Sequence, residues 1–412
     1  MKKSKNGELT QAQIQSVFEC LDSGQIQELL WERSKTAALA FGVALLEADA
    51  EALCGGRYAR KGENLCHRGG SEQTSIIVGG ARYAVRRPRV RDGSGEVELP
   101  SLSKLRDRDV LDRKMHERMM LGVSTRNYAP VIEGYSKKLG VSKSSVSRAF
   151  ERVSRAELEA INHDSLEHYS FLALVVDGLE IGGRCVVAAL GITAELEKVP
   201  LGLKEGDTEN AELVKELLSS LQDRQFTLHC ESLLAVIDGS KALRKALRQV
   251  FGERLLVQRC WLHKVRNINA YLPKSYHSQC HWRMKRLMHL KHLEEARREL
   301  GEFRRWLEQI SPQAAESLDE AGEELLTLHV LGISGELRKS LSSTNILESI
   351  YSGVRTKIER VKNWRSRGTE QILRWVASSV MQHKKKMRRL RGVSQRQLLI
   401  TALGEKLEVA AA

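Results

Sequence analysis

The chain is poor in residues that interrupt helices and in runs that could enter a membrane. Only 6 of its 412 residues are proline, and none follows Pro312, so the last hundred residues are free to be mostly helical. No stretch approaches the ~18 consecutive apolar residues that a spanning helix needs, and no membrane partner is expected. The basic start, Met1-Lys-Lys-Ser-Lys5, has no apolar segment behind it and predicts no secretory signal. Cysteine is sparse: Cys20, Cys54, Cys66, Cys185, Cys230, Cys260 and Cys280 are odd in number and scattered. That usage predicts reduced thiols in a cytosolic setting. Internal repeats and low-complexity tracts are also missing.

What is present reads as a folded protein. Hydrophobic residues are 42% and charged residues 29% of the chain, which excludes global disorder, collagen and silk. At roughly 150 residues per domain, two to four domains are expected. The formal net charge of +14 favours a polyanionic partner, most simply nucleic acid.

Residues 8–53 carry apolar side chains at helical spacing, Ile26, Leu29 and Leu30, then Leu39, Val43 and Leu46. From 55 to 100 glycines come in pairs, and Thr74–Val78 and Arg82–Val90 are strand-like. Arg82, Arg86, Arg87, Arg89 and Arg91 crowd this hairpin. They serve either as a charged edge that blocks unwanted strand pairing or as phosphate contacts. Helix returns over 102–160, where Leu139-Gly-Val-Ser-Lys-Ser-Ser-Val-Ser-Arg148 has the form of a helix-turn-helix. There Gly140 turns, Ser142 caps, Val146 and Phe150 anchor, and Ser144, Ser145, Ser147 and Arg148 face DNA. An ordinary helical hairpin fits the same residues.

From 171 the pattern becomes α/β. Phe171–Val176 is a continuous apolar run, as in a strand buried on both faces, ended by Asp177. Cys185–Ile192 and Val199–Leu203 follow as strands, 208–225 as an amphipathic helix, Leu233–Ile237 as a buried strand ended by Asp238, Ser240–Phe251 as a helix, and Leu255–Gln258 as a strand. Three adjacent strands followed by alternating units predict a mixed sheet. Residues 260–335 and 344–390 read as helical.

Two strands end alike, in Val175-Val-Asp177-Gly178 and Val236-Ile-Asp238-Gly239. A carboxylate just past a buried strand cannot enter the core without a large desolvation cost, so it caps, pairs with a cation or binds a metal. The carboxyl ends of such strands are the usual ligand crevice, and two acids there are tolerated with a divalent cation between them. Asp-Gly is also a common turn. Glu348, in Ser343-Thr-Asn345-Ile-Leu-Glu348, is the best third acid, with Thr344 or Asn345 capping its helix. A glutamate that merely complements the helix dipole fits there too.

These segments resemble the transposases of bacterial insertion sequences of the Mutator-like type. The matching text is Asp177-Gly-Leu-Glu-Ile-Gly-Gly-Arg184, Val236-Ile-Asp-Gly-Ser-Lys-Ala-Leu243, Gln258-Arg-Cys-Trp-Leu-His263-Lys-Val-Arg-Asn267 and Ser343-Thr-Asn-Ile-Leu-Glu348. The Gln-Arg-Cys-x-x-His-x-x-Arg-Asn block is the most specific, and the likeness covers roughly residues 75–390. The resemblance implies an Asp-Asp-Glu triad, Asp177, Asp238 and Glu348, on a ribonuclease-H-like mixed-sheet core. It also implies an all-helical insertion between the second aspartate and the glutamate, which accounts for the 110 positions separating them. Cys260 and His263 become a structural or site-supporting signature, although Cys260-x-x-His263 with Cys280-His281, or Cys54, Cys66 and His67, could be imagined around zinc.

The expected organisation is an N-terminal helical region (1–55), a β-rich basic hairpin region (56–101), a helix-turn-helix DNA-binding domain (102–165), the catalytic core's first part (166–259), the helical insertion (260–338), and the core's last part with basic C-terminal helices (339–412). Residues 355–396 hold 14 Lys and Arg, Arg355, Lys357 and Arg365 among them, against Glu359 and Glu370, and predict contact with the DNA backbone. Arg184, Arg259, Lys264 and Arg266 are close enough in sequence to the acids to help bind phosphates.

The resemblance implies two-step phosphoryl transfer with two Mg²⁺ ions, or Mn²⁺ in their place. Water frees a 3′-hydroxyl at the element's end, and that hydroxyl attacks target DNA. Double-stranded DNA, a homodimer or higher assembly, and a nucleoid-associated place in the bacterial cytoplasm follow. A metal-dependent nuclease or resolvase of the same fold, or a non-catalytic DNA-binding protein, are the alternatives.

Overall fold

The computed structural model describes residues 22–56, 66–78, 81–122, 143–206, 211–359, 361, 364 and 370–405. The chain divides into two units, one of residues up to 119 with 123–150, the other of 120–122 with everything from 151 onward.

In the first unit the helical reading of 8–53 is observed from Ser23 to Cys54, one helix capped by Asp22, whose side chain accepts from the Gln25 N–H at 2.8 Å, and residues 8–21 lie outside the described ones. The strand-like segments form a three-stranded antiparallel sheet of β1 (His67–Val78), β2 (Ala81–Arg91) and β3 (Glu96–Val97). Leu46 and Ala50 of the helix close a small core over Ile76, Val90, Leu99 and Leu102. Cross-strand register sets Glu72 opposite Arg87 and Arg91 opposite Glu96. Arg87 is buried and gives its guanidinium to Glu72 and Glu96 at 2.6 and 2.8 Å, and Arg89 meets Glu96 at 2.6 Å. These two arginines hold the hairpin together, while Arg82 is half-buried and Arg86 exposed. The turn expected at Leu139–Ser142 lies outside the described residues. Helix Lys143–His163 begins just after it, with Val146 and Phe150 buried and Ser144 and Arg148 exposed. The side chain of Ser145, and Arg365, also lie outside the described residues.

The second unit is built on a mixed six-stranded sheet. β4 (Ser170–Ile181), β5 (Arg184–Thr193) and β6 (Lys198–Gly206) form an antiparallel meander, and β8 (Leu233–Ile237) and β9 (Leu255–Arg259) add in parallel to give the order β6-β5-β4-β8-β9. A short β7 (Thr227–Leu228) also pairs with β4. The α/β order read from the sequence is therefore observed, with one correction. β4 does not stop at Asp177. It runs on to Ile181 because β5 keeps pairing with it, and the chain reverses at Gly182 and Gly183, both at positive φ as a two-residue hairpin turn requires. One face of the sheet packs on helices Ala211–Asp223 and Lys241–Phe251. The other packs on helices Asn345–Ile358, Gln371–Lys384 and Arg396–Gly404. Gly353 gives His383, four residues past Ser379 whose carbonyl it meets, room to pass between two of these helices.

The helices between Trp261 and Leu326 build a separate core on Ile268, Cys280, Met284, Leu287, Phe303 and Leu307. Beside them His329 is 4% exposed, set against the backbone of Leu287 and Leu290. Burial and the nearby Arg338 charge hold it neutral, pulling its pKa from 6.5 to about 4. The unfolded chain takes up a proton below pH 6.5 and the folded chain does not until about pH 4, so stability is lost as pH falls through that window. Between pH 7 and pH 5 the expected loss is about 2 kcal/mol. Urea midpoints at the two pH values should show it in the wild type, and His329→Leu should remove that part.

Candidate active site

The parallel register of β4 and β8 brings the two aspartates together. Val175 pairs with Val236 and Val176 with Ile237, so Asp177 and Asp238 follow side by side on adjacent strands, about 4.8 Å apart at the backbone. Asp177 is 5% exposed. Burial pushes its carboxyl up to about 7; the His263 ring pulls it back, Asp238 adds to the rise, and hydrogen bonds from Thr344 and the Gly178 N–H lower it. Asp238 is half-buried and accepts from the Ser240 N–H at 2.8 Å.

Glu348 arrives on helix Asn345–Ile358, which docks on β4: the Tyr351 hydroxyl, one turn along, donates to the Asp177 carbonyl at 2.7 Å. Arg266 Nη1 meets Glu348 Oε1 at 3.0 Å and His263 Nε2 meets the same oxygen at 3.5 Å. One ligand atom each from Asp177, His263 and Glu348 lie within 4.8 Å of one another, the sole such group of three among the described residues. No zinc cluster gathers around Cys54 and Cys66, or around Cys260 and Cys280, among those residues. Burial raises the Cys260 thiol and the Cys280 thiol, the latter to about 12, so neither is poised as a thiolate.

Each residue of the Gln258-Arg-Cys-x-x-His block has a physical task. Gln258 is fully buried, donating to the Leu325 carbonyl and accepting from the Leu328 N–H, both at 3.0 Å. Arg259 is 1% exposed and grips Glu320 with two nitrogens, the closer at 2.8 Å. The Cys260 N–H donates to the Ile237 carbonyl at 2.7 Å, which joins the end of β9 to the end of β8. Cys260 Sγ in turn accepts from the Thr344 N–H at 3.4 Å. The Thr344 hydroxyl lies 3.4 Å from His263 Nδ1 and also bonds the Asp177 carboxylate. Thr344 therefore links Cys260, His263 and Asp177 at the start of the Glu348 helix.

Several residues expected to touch phosphate are otherwise engaged. Lys264 is 3% exposed and donates to the Ser317 carbonyl and Glu320, both at 2.6 Å. Against the cost of burial, bonds from Arg259 and Lys264 hold Glu320 down at about 2. Arg184 is paired with Glu205 across the β5–β6 ladder. Arg374, within the basic C-terminal run, is buried against Glu151 at 3.3 Å. By contrast Arg266 is 60% exposed beside Glu348, Arg355 is exposed, and Lys357 is half-buried against Gln382 at 2.5 Å. Asn345 is exposed at the first turn, and Thr344 occupies the cap position without a side-chain capping bond because its hydroxyl serves the site. Sequence reasoning did not find Tyr351 or Glu320. The first has only its place three residues after Glu348 as a signal, the second none.

The chain is similar to transposases of bacterial insertion sequences. The chain is 27% identical over 253 residues to the transposase for insertion sequence element IS6120 of Mycolicibacterium smegmatis, 60% of this chain and 76% of that protein. It is 28% identical over 344 residues to the transposase for ISRM5 of Rhizobium meliloti, 81% of this chain and 83% of that one. It is 30% identical over 185 residues to the transposase for IST2 of Acidithiobacillus ferrooxidans, 45% of this chain and 61% of that one. The model of the family described as Transposase, Mutator family matches residues 10–388, and the chain belongs to that family of insertion-sequence transposases.

Proposed function

We propose that this chain binds the terminal repeats of an insertion sequence, cleaves the DNA to free 3′-hydroxyls, and joins them to target DNA on an Asp-Asp-Glu site of ribonuclease-H-like design. The observation that carries the reading is the meeting of Asp177 with Glu348, which is 171 positions away, at the point where Asp238 leaves the neighbouring strand. The order β6-β5-β4-β8-β9, an antiparallel meander with parallel strands added beside its first strand, supports the ribonuclease-H-like assignment.

The donor set fits hard divalent cations, since it is rich in carboxylate oxygen. Asp177 is driven toward neutrality by burial and by Asp238 beside it, although the His263 ring pulls the other way, and a divalent cation there would favour its charged form. Asp177, Asp238 and Glu348 would hold two Mg²⁺, or Mn²⁺, which would supply an activated hydroxyl and neutralise charge on the phosphate. The remaining work belongs to the chain. His263, tied at Nδ1 by Thr344, holds its Nε2 against Glu348. Arg266 orients the same carboxylate and has free donors for a phosphate oxygen. The exposed cations Arg86, Arg148 and Arg355, with the half-buried Arg82, would contact the backbone of duplex DNA, and handling two ends at once calls for a dimer or larger assembly.

The test is to incubate the protein with Mg²⁺ and a plasmid carrying the element and its flanks, beside an Asp238→Asn control. Nicks at discrete flanking positions, then joined products, are expected from the wild type alone. Cleavage without joining would make the protein a nuclease, and binding with neither step a DNA-binding protein.

In the same assay Thr344→Val should slow cleavage about tenfold, as expected for losing about 1.4 kcal/mol of hydrogen bonding. Thr344→Ser should stay near wild type. Equal rates for Val and Ser would remove the Thr344 hydroxyl from the site.

A further inference from the structure

Helix Lys241–Phe251 follows Asp238 after a two-residue turn. It borders a cleft of about 400 Å³ whose lining includes Lys241, Arg244, Lys245, Arg248, Arg259 and Glu320. The first four stand at i, i+3, i+4 and i+7 and so share one face of the helix, while Leu243, Ala246 and Leu247 are buried on the other. Arg259 and Glu320 neutralise each other, and Arg244 is held by Glu324 at 2.6 Å. Lys241, Lys245 and Arg248 are exposed, and among the described residues Arg248 meets the more distant field of Glu324.

This arrangement opposes itself. Like charges three and four residues apart repel. The first turn holds no acid, so no residue of the helix itself offsets Lys241 at the positive end of the dipole. A stripe of this kind is matched by an extended polyanion. Seven residues of helix span about 10 Å, the rise of about three steps of one DNA strand at about 3.4 Å each. The stripe also starts three residues from Asp238.

We propose that Lys241, Lys245 and Arg248 form a phosphate track that holds the backbone of duplex DNA flanking the cleaved bond, without reading its sequence. This rests on the transposase reading above and adds to it Lys245 and Arg248, which no motif marks, beside Lys241 of the Asp238 segment.

The test uses the full chain and a Lys241→Gln, Lys245→Gln, Arg248→Gln variant; glutamine keeps helix propensity and removes charge. Binding to a duplex bearing the element's end, and to an unrelated duplex, is measured from about 50 to about 200 mM salt. The slope of log affinity against log salt should fall by about two to three, since each lost phosphate contact removes about 0.9. Affinity should drop by a similar factor for both duplexes. An unchanged slope overturns the track, as does a loss confined to the element's end. If the triple variant does not fold, Lys245→Gln alone should lower the slope by about one, and no change would overturn the track. A wild type that binds neither duplex overturns both this inference and the reading beneath it. One that cleaves element ends while the variant keeps the full slope overturns the track alone.

Discussion

Glu348→Gln is expected to lower DNA strand cleavage by at least about a thousandfold, equivalent to about 4 kcal/mol of transition-state stabilisation, with affinity for DNA at or above wild type. Glutamine keeps the length of the side chain and an oxygen that can accept from Arg266, which now bonds Glu348 Oε1 at 3.0 Å. Only the charge is lost, and with it one anionic ligand of the site. Removing a negative charge where a phosphate must sit lowers repulsion, so binding should not suffer. Asp238→Asn should behave alike, because asparagine can still accept from the Ser240 N–H. A parallel His263→Gln variant makes the test sharper. Asp177, His263 and Glu348 gather within 4.8 Å, while Asp238 bonds the turn beside them. If Asp238→Asn kept most of its activity while His263→Gln lost it, the site would be Asp-His-Glu, and the triad assigned here would fall. Rates from end-labelled duplexes, with anisotropy for affinity, decide between the two.

How far the sequence foretold this site differs from residue to residue. Asp177 and Asp238 were legible because each interrupts a run of apolar residues long enough to be buried, and burying an unpaired carboxylate is too costly to occur without a reason. Their adjacency was not legible, since it depends on the parallel register of β4 and β8. Glu348 was legible as the best third acid, but its own segment left the choice open, because a glutamate in the first turn of a helix is common for reasons of dipole alone. Lys264 shows the limit most clearly. On a helix next to the signature it reads as a cation for phosphate. It is buried by Glu320, 56 positions later, and nothing local announces that partner. Arg374 was absorbed in the same way by Glu151. Charge counts along a chain measure the supply of cations, and burial decides how many remain for DNA.

In protein freed of metal, Asp177→Asn is expected to raise the melting temperature at pH 8 by several degrees. The carboxyl titrates near 7 in the fold against 3.8 for an ordinary aspartate, chiefly because it is buried. Below pH 3.8 the folded and unfolded chains both hold the proton, and Asp177 adds no pH dependence to stability. Between 3.8 and about 7 only the unfolded chain releases it, so stability falls as pH rises, and above about 7 the loss is complete. At about 1.4 kcal/mol per pH unit the full loss is at most about 4 kcal/mol. Asparagine has no proton to lose and keeps an oxygen for the Gly178 N–H, which bonds Asp177 at 3.0 Å. The advantage of the variant over wild type, measured in chelator, should therefore be small at pH 4 and grow toward pH 8. Adding Mg²⁺ at pH 8 should close that gap by stabilising the wild type more than the variant, since a cation bound only to the folded state favours it by mass action. An advantage that shrinks with rising pH would mean that Asp177 is not held against its charge. A gap that Mg²⁺ leaves open would mean that the buried carboxylate serves something other than a cation.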